Sequence, residues 1–382
     1  MPRGIQYEDG FVVGGNPSTK ITPNFRLREF ARSNGELRIH RELVGALQEL
    51  REAYGEPLEI KGQSPRQGLG TGKKGLFAWL GAGRPEDVVR SATPLQKLGY
   101  FAQVLERGGD VYAEMHEPDD LPLLPAGPAF EIGMRLTAAY ETSGDPYQQV
   151  TGNFDDAGLS FGPLQVNFGT GTLKELFARF EARDPAALRA CFDRPEHWQE
   201  WLQILRSSRT RQIAWGDSLS RGASKYGFAQ PWKGYLQAVG RIPAFHEETL
   251  RYAYDNYGRK LVVQLAWLAG LSSIRIDHFA CLTALYDLCV QQGSLNKAHA
   301  AIRRRVFEEN PRDQFELVHI AVEERGRKAN PRWRADCISR RLGILYRSPQ
   351  RITESGQTTS RDNARLYLVR DVRVKGAEKY LT

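Results

Sequence analysis

The feature that most constrains this chain is the helical spacing of its apolar residues between about residues 129 and 350. Five stretches there repeat apolar side chains every three or four positions: "FEIGMRLTAAYE", "GTLKELFARFEA", "HWQEWLQILRSS", "EETLRYAYDNYGRKLVVQLAWLAG" and "DHFACLTALYDLCVQQG". Such spacing predicts amphipathic helices. One segment with strand character, "VTGNFDDAGLSFGPLQVNF", interrupts them. The sequence therefore predicts a mainly α domain that contains one small β-hairpin.

The N-terminal part of the chain has a mixed pattern. Leu43, Leu47 and Leu50 recur at helical spacing, and "GEPLEI" then indicates a turn into a strand. We predict a small α+β unit here, ending where the prolines of "HEPDDLPLLPAGPAF" disfavour a continuous helix. The predicted organisation is an N-terminal domain at 1–125, a helical domain at 126–350 and a C-terminal tail at 351–382. In the tail, "RITESGQTTSRDNA" is polar and is expected to be loose.

Charge and composition narrow the possible partners. The 382-residue chain has a formal net charge of +8 and a pI near 9.3. A basic chain favours nucleic acid, an acidic membrane surface or an anionic polymer such as bacterial cell wall. No RRM, zinc-finger or homeodomain signature is present and the basic residues are scattered, so we expect no nucleic-acid partner. The four cysteines lack CxxC spacing, so we expect reduced, buried thiols.

Targeting signals are not evident in the sequence. The N-terminus lacks an apolar signal core, and no run of about 18 apolar residues occurs. We therefore expect synthesis in the cytoplasm without a Sec signal and no stable membrane insertion. Action on a cell wall, in the periplasm or outside the cell, would then need another delivery route.

Three acids stand out in "YETSGDPYQQVTGNFDDAGLS". Helical spacing places Glu141 on the same face as Phe130 and Met134, and a carboxyl drawn toward an apolar wall is a candidate general acid. Asp155 and Asp156 follow in a turn bracketed by glycines, where they are expected to be solvated and ionised. Two carboxyls in unlike environments are the arrangement that cleaves a glycosidic bond. The competing interpretation is a solvated loop and an ordinary surface glutamate.

The same stretch resembles the active-site signature of the lysozyme-like superfamily, most closely its chitosanase branch and the muramidase modules of phage and secreted effectors. The resemblance implies that Glu141 is the acid, Asp155 the base, and Ser160 the residue that holds the attacking water. Asp156 lies where the family usually has glycine, which leaves open whether Asp155 or Asp156 is the base. Similarity of "GPLQVNFGTGTL" to the continuation of the signature implies that Gln165 and Asn167 line the cleft. We predict that Asp156 binds the substrate with them.

The N-terminal segment resembles the zinc D-alanyl-D-alanine peptidases of peptidoglycan. Asp87 aligns with their ligand motif, but Leu80 stands where the first ligand histidine belongs, and His116 lacks a clean HxD context. A catalytic zinc site needs three protein ligands. We therefore predict a degenerate peptidase-like domain that binds cell wall, without metal or cofactor, in which Arg66 is the candidate for contacting a peptide carboxylate.

Together these features predict a two-domain glycoside hydrolase of mainly α (α+β) fold that cleaves β-1,4 bonds of peptidoglycan. Resemblance to the chitosanase branch implies an inverting mechanism. An endolysin or a secreted antibacterial effector would both fit, with an immunity protein or delivery machinery as possible partners. The alternatives are a chitosanase and a non-catalytic cell-wall-binding protein.

Overall fold

The computed structural model describes residues 5–8, 11–31, 35–62, 76–97, 100–116, 124–141, 145–363, 365–366 and 369–375. Helices dominate, so the predicted mainly α (α+β) class is confirmed. The helices are α1 Arg41–Tyr54, α2 Pro85–Lys97, α3 Ala126–Ala138, α4 Thr172–Arg183, α5 Pro185–Ala190, α6 Pro195–Arg206, α7 Arg209–Leu219, α8 Trp232–Val239, α9 Pro243–Ala253, α10 Arg259–Ala269, α11 Phe279–Gln292, α12 His299–Glu309, α13 Gln314–Arg327 and α14 Arg334–Leu345.

The strands are short. They are β1 Ile5–Glu8, β2 Phe11–Gly15, β3 Ile39–His40, β4 Glu59–Gly62, β5 Phe77–Gly81, β6 Gln103–Arg107, β7 Asp110–Glu114, β8 Leu124–Pro125, β9 Val150–Thr151, β10 Ser160–Phe161, β11 Val166–Asn167, β12 Ser220–Arg221, β13 Gly227–Phe228, β14 Arg351–Glu354, β15 Gln357–Ser360 and β16 Val374–Lys375. No described helix is long and apolar enough to cross a membrane.

The chain forms two compact units that are interleaved along the sequence. The first comprises residues 1–132, 264–288 and 294–382, and the second comprises residues 133–263 and 289–293. The division falls within helices α3, α10 and α11. The domain boundaries expected from sequence at 125 and 350 stay a prediction.

The first unit carries a four-stranded antiparallel sheet in the order β4-β5-β7-β6. Helix α1 forms as predicted, because His40 caps its start and Gly55, at φ 82°, ends it in the left-handed conformation that glycine adopts without strain. Phe77, Trp79 and Tyr112 pack together on adjacent strands of the sheet. The α+β character predicted for this region is present.

The C-terminal segment corrects one expectation. Residues 351–360, predicted to be loose, form the antiparallel hairpin β14–β15. Its two turn residues, Ser355 and Gly356, have φ of 52° and 76°, the signs that a type I′ hairpin turn requires. The hairpin was not predicted from the sequence, because its strands are polar. The structure shows that both strands are largely exposed to solvent.

A buried ion cluster lies in the first unit. Asp287 on α11 is completely buried, and Arg340 on α14 donates to both of its carboxylate oxygens, from Nε at 3.0 Å to each and from Nη2 at 2.7 Å to Oδ1. Arg341 Nε lies 3.4 Å from Asp287 Oδ2. The bidentate geometry offsets the desolvation of the charges and joins two helices.

The second unit is helical around an aromatic core and contains the predicted strand segment. Its strands form a three-stranded antiparallel sheet in the order β11-β10-β9, in which Ser160 pairs with Asn167 on one side and Thr151 on the other. The core beneath the sheet and helices includes Phe161, Phe177, Trp201 and Phe245, with other aromatic and aliphatic side chains. Each large buried ring removes a large apolar area from water and so stabilises the unit.

Candidate active site

Glu141 lies beyond the end of α3 and is exposed to solvent. The last turn tightens, since Tyr140 N donates to Thr137 O at 3.2 Å and Glu141 N to Ala138 O at 2.9 Å, both three residues back. That tightening rotates the chain away from the regular helical phase. The burial of Glu141 on the apolar face, predicted from spacing alone, is therefore wrong, while its proposed role as acid stays a prediction.

The two aspartates lie in a turn between β9 and β10, which we call the acid turn (residues 152–159). Both side chains are exposed, as predicted. Asp155 Oδ1 accepts a hydrogen bond from Ala157 N at 3.2 Å, and Asp156 has φ of 61°. Among the described residues no ion pair engages either carboxylate. The turn thus presents two solvated carboxylates, and Asp156, at the position where the sequence resemblance leads us to expect glycine, has a conformation that glycine favours.

Asn153 holds the acid turn closed. Its Oδ1 accepts from Gly158 N at 2.7 Å, and its Nδ2 donates to Asp217 Oδ1 at 2.5 Å. Its backbone N–H donates to Ser220 Oγ at 2.8 Å. Asn153 is buried, so each bond satisfies a group that would otherwise lose its water partners. The acid turn is therefore fixed to helix α7 and strand β12.

Asp217 on helix α7 accepts the hydrogen bond that Asn153 donates. Lys225 Nζ also lies 2.6 Å from Asp217 Oδ1. The hydrogen bond from Asn153, followed by that from Lys225, holds the pKa of the Asp217 carboxyl below its usual range. Sequence reasoning missed Asn153 and Asp217. An asparagine opening a glycine-bounded turn was the available local signal, but its partner is 64 residues away.

Two glycines allow the acid turn to pack closely. A Cβ on Gly152 would lie 2.4 Å from Lys225 O and 2.6 Å from Gly227 O, so only glycine lets β9 approach the β12–β13 hairpin. Gly158, at φ 86°, lies against helix α7, where an added Cβ would meet Ile213 Cα at 3.0 Å. Both positions are needed for the close approach of the acid turn to its neighbours.

Ser160 follows the acid turn on the central strand and is only 2% exposed. That burial separates its hydroxyl from bulk solvent in the free chain. Its assignment as the residue that holds the attacking water stays a prediction.

Gln165 and Asn167 lie on or beside β11. Gln165 Nε2 donates to Gly162 O at 2.9 Å. Asn167 Oδ1 accepts from Thr170 N at 2.8 Å and from Thr170 Oγ1 at 2.9 Å. These amides stabilise local turns, and contact of Gln165, Asn167 or Asp156 with a glycan stays a prediction.

Leu80 and Asp87 stand at the positions where the sequence resemblance would place zinc ligands. Leu80 is fully buried on β5, and Asp87 pairs with Arg84 at 3.2 Å and with Arg90 at 2.9 Å. No group of three or more metal-ligating side chains occurs within the described ranges. Arg66 lies outside the described residues. The four cysteines are free thiols and three of them are buried.

No family model and no curated protein matches this chain. Among solved structures, the chain is similar to a mutant chitosanase from Bacillus subtilis MY002 in complex with six GlcN, with 13% identity and a TM-score of 0.41 over 61% of this chain and 97% of that one. It is also similar to the GH46 chitosanase of Gynuella sunshinyii with chitotetraose, with 17% identity and a TM-score of 0.40 over 63% and 98%. Likeness at these TM-scores does not establish a common fold, so the functional conclusion depends on the residues of this chain.

Proposed function

We propose that this protein is a glycoside hydrolase that cleaves β-1,4 bonds of an amino-sugar polymer by acid/base catalysis. The observation that carries the proposal is the acid turn. The side chain of Asn153 accepts from the turn backbone at Gly158 N and donates to Asp217 on helix α7, yet the two carboxylates of the turn are exposed to solvent. A rigid support for solvated acids is what positioned general-base chemistry needs.

Each proposed catalytic group has a distinct task. Asp155, ionised in the acid turn, takes a proton from the attacking water, while Glu141 protonates the leaving glycosidic oxygen. Ser160 orients the water. Because Glu141 is exposed in the free chain, a bound glycan strand is what would remove water from it. A single-displacement, inverting reaction requires the two carboxyls to lie roughly 6.5 to 9.5 Å apart with the water between them.

Peptidoglycan is the preferred polymer, which makes the enzyme a muramidase. The net charge of +8 attracts the chain to an anionic wall and repels the cationic amino groups of chitosan. The muramidase would serve as an endolysin or as a secreted antibacterial effector. The first unit would bind wall, with Arg66 contacting stem-peptide carboxylates, and effector use would call for an immunity protein.

The test uses purified full-length wild type, Glu141→Gln and Asp155→Asn, each incubated with peptidoglycan sacculi and with chitosan. Released fragments are identified by mass. Glu131→Gln, the same change at a glutamate of helix α3 that precedes Glu141 in the chain, is the matched control. Sugar-chain products that vanish in both site variants and persist in the control support the hydrolase, and the substrate that yields them identifies the polymer.

A second experiment uses a soluble oligosaccharide to test whether the reaction inverts the anomeric configuration. Following the first product by NMR shows whether the newly formed reducing end is α or β. An α product supports single displacement, whereas a β product requires a retaining route and a covalent intermediate. No products from wild type on any polymer would favour the non-catalytic wall-binding alternative.

A further inference from the structure

Two exposed aromatic rings lie at the acid turn, one within it and the other on the adjoining β12–β13 loop. Phe154 is 48% exposed and Tyr226 is 46% exposed, and their ring centroids are 5.3 Å apart at an interplanar angle of 51°. In the described part of the chain, they are the one pair of exposed large aromatic residues whose rings contact each other. Phe154 immediately precedes Asp155 in sequence, so the pair adjoins the proposed base.

The position of the pair is set by backbone contacts. Gly152 N donates to Tyr226 O at 3.1 Å, which fastens the β12–β13 loop to the acid turn. Gln149 Nε2 donates to Tyr226 Oη at 3.3 Å, which orients the ring. The loop residue before it, Lys225, is tied through Asp217 to Asn153. Two segments more than 70 residues apart are thus fixed so that two rings face solvent together.

An exposed pair of rings at a fixed place presents a joined apolar surface that a ligand can cover. One face of a pyranose ring presents C–H groups and is apolar, while its edge carries hydroxyl and amide groups. Phe154 and Tyr226 offer an apolar surface for such a face. Asp155, Asp156 and Gln149 offer hydrogen-bonding groups for the edge, which is the mixture of apolar wall and few polar groups typical of a ligand site.

We propose that Phe154 and Tyr226 form a stacking platform for one sugar ring of the amino-sugar chain, next to the bond that is cleaved. The inference rests on the proposed function, because it names the contact by which that site holds its polymer. The platform acts on the apolar face shared by N-acetylglucosamine and glucosamine.

Binding is measured by calorimetry with the full-length Glu141→Gln variant, so that the oligosaccharide is not cut. The probes are the β-1,4 hexamers of N-acetylglucosamine and of glucosamine. Adding Phe154→Ala or Tyr226→Ala is expected to weaken binding about threefold to tenfold each, as for the loss of one aromatic contact. Tyr226→Phe, which keeps the ring, is expected to restore most of the loss. Phe307→Ala removes an 88% exposed ring on α12 and should leave the affinity unchanged.

Ring-dependent binding of either hexamer supports the platform, and the tighter hexamer identifies the preferred sugar. Equal affinity of the parent and both ring-removal variants overturns it, as does the absence of any measurable binding by the parent. Thermal melts of all variants check that they are folded. Product release by wild type separates the two proposals. If wild type releases products but binding does not depend on the rings, the platform is wrong and the hydrolase proposal stands. If binding depends on the rings but wild type releases no products, the platform stands and the hydrolase proposal is wrong.

Discussion

Asn153 Nδ2 donates a 2.5 Å hydrogen bond to Asp217 Oδ1 and thereby joins the acid turn to helix α7. The same side chain accepts from Gly158 N across the turn. Asn153→Ala removes both bonds and leaves a buried N–H without its acceptor, so we expect a loss of about 1–3 kcal/mol in the free energy of unfolding. Urea unfolding measures it.

Asp217→Asn is the companion variant for that contact. Its amide oxygen can still accept from Asn153, but the attraction to Lys225 is reduced. We expect Asn153→Ala to lower both stability and glycan cleavage more than Asp217→Asn does. A larger loss in Asp217→Asn would show that the charge, and not the asparagine, holds the acid turn.

The two aspartates of the acid turn should respond differently to substitution. Asp155→Asn keeps the oxygen that accepts from Ala157 N but removes the base, so product release should fall by about 10²–10⁴-fold with little change in stability. Asp156 has φ of 61°, which glycine adopts freely, so Asp156→Gly should keep stability and should lower product release less than Asp155→Asn does. Initial rates and thermal melts test both variants. The opposite ranking would identify Asp156 as the base.

Gly152→Ala should disrupt the packing of the acid turn against the β12–β13 hairpin. The new Cβ would lie 2.4 Å from Lys225 O and 2.5 Å from Ser220 Oγ, closer than Cβ atoms in folded proteins come to their neighbours. We expect destabilisation of about 1–3 kcal/mol together with lower activity. Gly127→Ala, in the first turn of α3 with no atom near the added Cβ, is the control and should be neutral or stabilising. Similar melting temperatures for the two variants would contradict the prediction.

Asp287→Ala should be among the most damaging single substitutions. It leaves Arg340 and Arg341 buried without the carboxylate that both contact, and breaking a buried pair in this way costs about 3–5 kcal/mol. Asp336→Ala is the control, because that partly exposed acid pairs with the partly exposed Arg361 at 3.2 Å and should contribute only about 1 kcal/mol. Denaturant unfolding of both variants gives the comparison. Equal losses would mean that Asp287 is not the structural centre of the cluster.

Stability should fall in acid through Glu323 on α13. Hydrogen bonds from His319 and Arg305 lower the pKa of the Glu323 carboxyl to about 2 from its ordinary 4.5. Because the pKa is depressed on folding, this contribution is present above about pH 4.5 and is lost as the pH falls toward 2. Between pH 5 and 3, the melting temperature of wild type should fall more steeply than that of Glu323→Gln. Glu308→Gln, an exposed change on α12, should keep the wild-type slope.

Short-range patterns in the sequence determined much of the secondary structure. Apolar spacing predicted helices α1, α4, α6 and α11, since that periodicity is read within about a dozen residues. Glycines and aspartates predicted the acid turn and the exposure of its carboxylates, because turn conformation is also a local property. The same helical spacing predicted that Glu141 lies on the apolar face of a helix, and that prediction was wrong. The hydrogen bonds that follow the end of α3 join residues three positions apart instead of four, and regular helical spacing does not predict this change.

What only the tertiary structure decided is which distant groups meet. Asn153 and Asp217 are 64 residues apart, and Asp287 and Arg340 are 53 apart. The ring of Phe154 contacts the ring of Tyr226, which lies on the β12–β13 loop. No local pattern marks such pairs, because their geometry follows from the packing of whole helices and hairpins. The sequence therefore determined the acids that this protein presents and the turn that carries two of them. Packing decided how rigidly that turn is held and which aromatic rings lie beside it.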